Sequence, residues 1–474
     1  MPNTSARNSN KFVRRVNVLF ADKGMFISRL DRPWIDTPFW LQGFFLRTNE
    51  ELEAIRKYCN SIYIDISRGI EAEFYMEEDL ELPTSEFLEK EIVKKKNRFR
   101  YKNKLSLKDE IETAKAVLEV ATNKFYLVMD NIQNGKTLGM RMIPYFIQPM
   151  FESVMRNSEA LLLLIRLRDK NNLTYYHGVD ACVMALSFGK FMGMPIDEIH
   201  KLATGALLLD IGKVNVSESI LYKTEPLTDK EYGKVCSHVE HGVKFLRQDE
   251  NMDEDIINMV LAHHERSDGS GYPNGLKEVR IPAFARIAGV IDCYNAMCSK
   301  RPYHQSLTPF DSIQELYKLR KQHFQAELVE KFMHCMGIYP NGSLVEFKTG
   351  EVGVVLAQNY DKRNQPQIML LLTSDKQANK NFKIIDMRKQ PVTDSGKLLV
   401  IVKILKQNDF NIDLTTIYQK LKIVLPDKDF QKINVVSSVT DKTVLMLERN
   451  WSGFLASIKN LFVKKTNDLN KTSN

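Results

Sequence analysis

Apolar and polar positions change their period twice along this chain, and the three resulting stretches predict three kinds of architecture. Between residues 15 and 70 the apolar runs are short and strand-like (Val16–Phe20, Met25–Leu30, Phe39–Leu46, Ile62–Ile66), punctuated by Gly24, Pro33, Pro38 and Gly43. A helix over Asn49–Tyr58, capped by Thr48 or Asn49, fits between the last two. Residues 15–70 therefore read as a small α+β domain behind a disordered tail, 1–14, and residues 71–104, acidic and then basic without periodicity, read as a charged linker. From Ser106, where Ser106-Leu-Lys-Asp109 resembles a capping box, the pattern is helical to about residue 335, with breaks at Asn134–Gly135, Asn157–Ser158, Asn171–Asn172, Met194–Pro195 and Ser217. After Tyr339-Pro-Asn-Gly342 the period becomes two, with strands expected at Leu344–Phe347, Val352–Ala357, Ile368–Thr373 and Phe382–Ile385 and a hairpin turn at Thr349–Gly350. The fold class expected is multidomain: an all-α bundle over 105–335, flanked by the α+β domain and by a β-rich domain over 336–448.

Residues 449–474 form a separate case. Trp451, Phe454, Leu455, Ile458, Leu461 and Phe462 fall at helical spacing beside Lys459, Lys464 and Lys465, the pattern of a basic amphipathic helix that packs on its own β domain, with an anionic membrane as the other surface such a helix fits.

Composition adds little beyond class. In 474 residues, 43% hydrophobic and 27% charged, no apolar run approaches the roughly 18 residues of a membrane span, and the first fifteen residues carry no secretory core, so a cytoplasmic protein is expected. Six cysteines without paired spacing read as free thiols. The net charge of +8 sits largely in Lys94–Lys104 and at the two ends, as solvated surface rather than a nucleic-acid face.

The histidines change the picture. All nine lie between His177 and His334, and six of them between His177 and His264. The helix carrying Ile256, Ile257, Val260 and Leu261 delivers His263 and His264 together at its buried end, and a glycine-rich turn follows. Asp210 and Asp292 interrupt apolar helices, where a lone carboxylate must find a cation or take up a proton. Mixed histidine and carboxylate donors are what divalent iron, manganese, nickel or zinc use.

In order and spacing, His177, Asp210-Ile-Gly-Lys213, His238, His263-His264, Gly271-Tyr-Pro273 and Asp292 resemble the HD-GYP family, bacterial enzymes that hydrolyse cyclic di-GMP on a helical bundle holding two or three metals. The resemblance covers roughly residues 105–335, and residues 15–70 resemble the small domain of unknown function that precedes some members. It implies metal ligation by His177, Asp210, His238, His263, His264 and Asp292 around two divalent ions, with iron or manganese favoured. It further implies catalytic parts for Asp210 and Lys213, substrate phosphate held by Lys213 and Arg301, and a pocket shaped by Gly271, Tyr272 and Pro273. The metals would polarise the phosphodiester and activate water.

Three positions depart from the family pattern. Leu209 stands where its eponymous histidine precedes Asp210, Leu173 where some members place a further glutamate ligand, and His304 where a basic residue often follows the arginine. Leucine ligates nothing, so at least one metal should be weakly held and turnover reduced. Three functions stay open on these residues: a metal-dependent cyclic di-GMP phosphodiesterase; an inactive relative that binds cyclic di-GMP or a protein partner and signals by conformation; and, ranked last because the Gly-Tyr-Pro turn is intact, an HD-type phosphohydrolase with another nucleotide substrate. His200, His241, His323 and His334 match no ligand position, although His241 lies one turn from His238.

Overall fold

The computed structural model describes residues 12–32, 37, 39, 43–72, 101–134, 142–168, 173–299 and 306–417, save for 360–361, 363, 380–381, 394 and 407–408. Arg301, His304, most of the charged linker and the amphipathic stretch 449–474 lie outside the described residues.

The first unit is a four-stranded antiparallel sheet, in the order β1-β4-β2-β3, made of β1 (Val13–Asn17), β2 (Phe26–Leu30), β3 (Phe44–Phe45) and β4 (Ser61–Asp65), with helix α1 (Asn49–Tyr58) between the last two. Thr48 caps α1 in a full capping box with Glu51, satisfying two orphan N–H groups reciprocally. Val16, Ile27, Ile62 and Ile64 meet Ile55 in a core of their own. The first strand starts earlier than the apolar run suggests. The side chain of Asn17 accepts from Leu19 N at 3.0 Å and turns Val18–Phe20 into a 3₁₀ helix, leaving Leu19 and Phe20 exposed.

The helical unit runs through α2 (Leu107–Gln133), α3 (Ile143–Arg156), α4 (Ser158–Leu167), α5 (Leu173–Met192), α6 (Ile196–Leu208), α7 (Glu218–Leu221), α8 (Asp229–Cys236), α9 (His238–Leu246), α10 (Glu254–Ala262), α11 (Ala283–Cys298), α12 (Pro309–Leu319) and α13 (Ala326–Met336). Ser106 accepts from Asp109 N, but the Asp109 carboxylate takes the serine hydroxyl instead of the cap's own N–H, so the expected box is half formed. Breaks at Asn134, Asn157, Pro195 and Ser217 fall at helix caps as expected, while Asn171 and Asn172 lie outside the described residues.

Strands β5 (Leu344–Phe347), β6 (Val352–Ala357), β7 (Gln367–Leu372), β8 (Ile384–Asp386) and β9 (Ile401–Leu405) form an antiparallel sheet in the order β8-β7-β6-β5-β9. Its period of two separates two faces: Leu344, Val352, Val354, Leu356, Met369 and Leu371 join the main helical core, while Val345, Val355, Ile368 and Leu370 build a second cluster on the outer side. A buried carboxylate seals the junction. Glu159, near the start of α4, accepts from Gln358 N at 2.9 Å and from Asn341 Nδ2 at 3.1 Å.

The N-terminal unit touches the helical one through polar contacts. Arg47 pairs with Asp255 at 3.2 Å, Arg286 donates to the Gly43 carbonyl at 3.3 Å, and Arg68 donates to the Val279 carbonyl. These contacts fall at the start of α10, just before α11 and at the start of α11, the elements that lead to the candidate site.

Candidate metal centre

Helices α6 and α10 lie against each other, and each ends at one point in the helical core. Lys201 of α6 binds Asp253 at 2.6 Å and Asp255 at 3.1 Å, tying the middle of α6 to the start of α10. At their far ends α6 delivers Leu209 and Asp210, and α10 delivers His263 and His264. Asp210, His238, His263 and His264 bring one donor atom each to within 4.8 Å of one another.

Close packing sets these positions. A Cβ on Gly212 would stand 1.9 Å from the His238 carbonyl oxygen and 2.5 Å from Gly242 N, so the turn after Asp210 lies flush on α9, and His238 Nε2 comes within 3.5 Å of Asp210 Oδ1. Gly271 is as tightly seated, its Cβ position 2.4 Å from the His264 carbonyl oxygen. Glu265 holds the turn that follows: its carboxylate accepts from Asn274 N at 2.7 Å and from Leu276 N at 2.8 Å. The cis Tyr272–Pro273 peptide lies within this turn, and the Tyr272 ring stacks on His264 with centroids 4.7 Å apart.

Hydrogen bonds fix which ring nitrogens face inward. His238 Nδ1 lies 2.7 Å from the Val235 carbonyl and His263 Nδ1 2.8 Å from the Val260 carbonyl; a carbonyl only accepts, so each Nδ1 carries the hydrogen and each Nε2 keeps a lone pair. These two Nε2 atoms and Asp210 Oδ1 are buried with no hydrogen-bond partner among the described residues. Three acceptors facing one another without a donor are what a cation satisfies, and three nitrogen donors with one carboxylate suit a divalent transition ion. The residues fit a metal.

The electrostatics agree. Burial alone would raise the Asp210 pKa, but Lys213, His177 and His238 hold it well below the usual carboxylate range. Lys213 Nζ lies 2.7 Å from Asp210 Oδ2. Burial pushes His263 down to about 4, lowers His238, and with the neighbouring His263 takes His264 well below its ordinary value, so the imidazoles stay neutral, as ligation requires.

His177 and Asp292 stand beside this group. They bond to each other, Nε2 to Oδ1 at 2.9 Å, with His177 Nε2 4.0 Å from Asp210 Oδ2 and Asp292 Oδ2 3.9 Å from His264 Nδ1. Leu209, 1% exposed, joins the apolar core. His200 packs at a tilt against Phe151, with ring centroids 4.4 Å apart. Two site residues carry no local signal. Glu265 sits inside the motif yet acts on backbone nine and eleven residues onward, and Asn295, one turn after Asp292 on α11, bonds to His177 across 118 residues.

Residues 164–328 match the HD domain family, a span that takes in His177, Asp210, His238, His263, His264 and Asp292 along with the Gly-Tyr-Pro turn. The chain carries an HD domain over this span. Residues 22–143, ahead of the HD domain, match a domain of unknown function, DUF3391, which runs past the expected boundary at residue 70 and through α2. A cyclic di-GMP phosphodiesterase of Pseudomonas aeruginosa is 28% identical over 384 residues, covering 81% of this chain and 91% of that protein. A 3'3'-cGAMP-specific phosphodiesterase of Vibrio cholerae is 34% identical over 139 residues, 29% of this chain and 27% of that protein. Among solved structures, an HD-GYP-type protein of Bdellovibrio bacteriovorus covers 68% of this chain and 98% of its own at 15% identity, with a TM-score of 0.42. Among the described residues no helix is long and apolar enough to cross a membrane.

Proposed function

We propose that the HD domain is a metal-dependent phosphodiesterase acting on cyclic di-GMP. The observation that carries this reading is the convergence of Asp210, His238, His263 and His264, with the unsatisfied acceptors of the first three turned inward and the Lys213 ammonium at the rim. The similarity to the Pseudomonas cyclic di-GMP phosphodiesterase, which extends over both domains, supports this substrate. When bound, a divalent ion supplies Lewis-acid activation of a phosphodiester and of water. Asp210, His238, His263 and His264 hold it. Lys213 offers a point charge to a non-bridging phosphate oxygen, and the turn at Gly271, Tyr272 and Pro273, clamped by Glu265, walls the pocket. Arg301 supplies a second phosphate contact in this reading. Iron or manganese fits the donor set.

One observation favours the second reading, a receptor that binds cyclic di-GMP without turnover: Leu209 is packed into the core, where it leaves the centre a donor short. Metal content of anaerobically purified protein, measured with hydrolysis of cyclic di-GMP and of 3'3'-cGAMP, decides between them. Stoichiometric iron or manganese and release of linear or mononucleotide product from cyclic di-GMP is the expected result. Binding of cyclic di-GMP without hydrolysis at any added metal would establish the receptor, and absence of metal binding would overturn the centre itself.

A further inference from the structure

We infer that His177, Asp292 and Asn295 form a hydrogen-bonded triad in place of a second metal subsite, so that this chain holds one divalent ion, on Asp210, His238, His263 and His264. The ion count rests on reading the site as a metal centre; the triad itself does not.

His177 also presents Nε2 inward, but its hydrogen sits on the opposite nitrogen from that of His238 and His263. Asn295 Nδ2 lies 2.9 Å from the His177 carbonyl oxygen and 3.0 Å from His177 Nδ1. A carbonyl oxygen only accepts, so the end of the amide facing it is the NH₂; turning the amide over would set oxygen against oxygen at that distance. Asn295 Oδ1 is accordingly the atom left buried without a partner among the described residues. The two amide hydrogens are then shared between the carbonyl and Nδ1. Nδ1 is an acceptor, and the ring hydrogen stays on Nε2, which donates it to Asp292 Oδ1 at 2.9 Å. A metal ligand must present a lone pair at that nitrogen, and here a hydrogen occupies the position.

Asp210 leads to the same result from the other side. Its Oδ1 faces His238 Nε2 at 3.5 Å and lies in the four-residue cluster. Its Oδ2, the oxygen nearer His177 at 4.0 Å, is held by the Lys213 ammonium at 2.7 Å. The space between Asp210, His177 and Asp292 is therefore bordered by an ammonium and an N–H, both repelling a dication, while the neighbouring Leu209 contributes no donor. Asn295 is a positioning residue: it fixes the His177 tautomer, and through it the rotamer of Asp292, whose Oδ2 stays turned toward His264 Nδ1.

Two readouts on the full-length wild-type chain test this, using zinc as the probe because it is diamagnetic. Zinc titration followed by elemental analysis should give one ion per chain. Long-range ¹H–¹⁵N spectra of histidine-labelled protein, with His177 assigned by its loss in His177→Gln, should show protonated Nε2 and unprotonated Nδ1, unchanged when zinc is added. Asn295→Asp should invert that tautomer, because a carboxylate accepts from Nδ1, and Asn295→Asp combined with Leu209→His should raise the zinc content from one ion to two. Two zinc ions on the wild type, or a His177 whose Nε2 loses its proton on zinc addition, overturns the inference while leaving the metal centre standing. No zinc at all overturns the metal centre and the ion count, and the zinc-free spectrum still decides the triad.

Discussion

Helices α6 and α10 are joined by an ion pair from the middle of one to the start of the other, pack side by side and end in two consecutive residues at the candidate metal centre, Leu209–Asp210 on one and His263–His264 on the other. Leu209 and His263, the first residue past each helix, are both in right-handed helical geometry and both buried. At the end of α10 the leading side chain is polar, its Nδ1 is anchored on the helix's own Val260 carbonyl and its Nε2 faces the cluster. At the end of α6 the leading side chain is apolar and is drawn into the helical core. Similar backbone delivery thus presents a candidate ligand at one end and an apolar side chain at the other, where the neighbouring Asp210 pairs with Lys213.

The largest effect should come from removing the polar end. His263→Ala with His264→Ala is expected to lower metal affinity by at least the roughly 100-fold that changes around a metal's ligands can produce, and to abolish turnover. Elemental analysis after dialysis checks it, and full metal retention would mean that α10 does not hold the ion.

Making the two ends alike comes next. Leu209→His is expected to raise cyclic di-GMP turnover by on the order of 10-fold at most, the lower end of what ligand-shell changes give, because His177 and Lys213 stay as they are. The same change puts an imidazole into the core and should lower stability by about 1–3 kcal/mol. Steady-state rates across added manganese, together with thermal melts, separate the two effects.

Glu265→Gln leaves both helix ends intact and loosens only the turn behind α10. A neutral amide keeps one acceptor for Asn274 N and turns a donor toward Leu276 N or the reverse, so about 1.5–3 kcal/mol of charge-assisted hydrogen bonding is lost. A roughly 10-fold fall in kcat/KM with unchanged metal content is the expected signature.

The pH dependence of α6 provides a smaller test. Burial pushes His200 down to about 4 from an ordinary value of 6.5, so between those values the unfolded chain binds more protons than the folded one. Its contribution is fully present above pH 6.5 and is lost as the pH falls toward 4, by up to about 3 kcal/mol at 1.36 kcal/mol per unit. Replacing it by phenylalanine, which keeps an aromatic ring against Phe151, should flatten the slope of denaturant stability in that window. Smallest of all, Lys201→Met should cost about 1 kcal/mol or less, since the ion pair that ties α6 to the start of α10 is partly exposed.

How far the sequence could be read follows from the range of each interaction. His263 and His264 were legible because the apolar spacing of Ile256, Ile257 and Val260 is local and places the helix end. Leu209 was legible as a departure, and only the packed structure shows it filling the core. The roles of Asn295, Glu265 and Lys201 left no pattern, even though Glu265 sits inside the motif, since their partners are a distant imidazole, two backbone N–H groups and the N-terminal turn of another helix. The strand expected over Phe39–Leu46 is seen only as Phe44–Phe45 among the described residues, and β9 lies in the region that the apolar pattern marked without placing a strand. The break expected near residue 336 is a change of period without a change of core, because alternate residues of β5, β6 and β7 face the helices.

That last feature has a bearing on which parts of such a chain can be exchanged in a gene fusion. A recombination joint at residue 336 would retain every ligand of the metal centre and strip the cover from α4, leaving the Glu159 carboxylate without Gln358 and Asn341. A joint between 72 and 101 cuts no apolar core shared among the described residues, because the N-terminal sheet and α1 close on themselves and meet the helices through arginines. New input modules can therefore be grafted ahead of this HD domain, whereas the sheet behind it must travel with the helices as one heritable block.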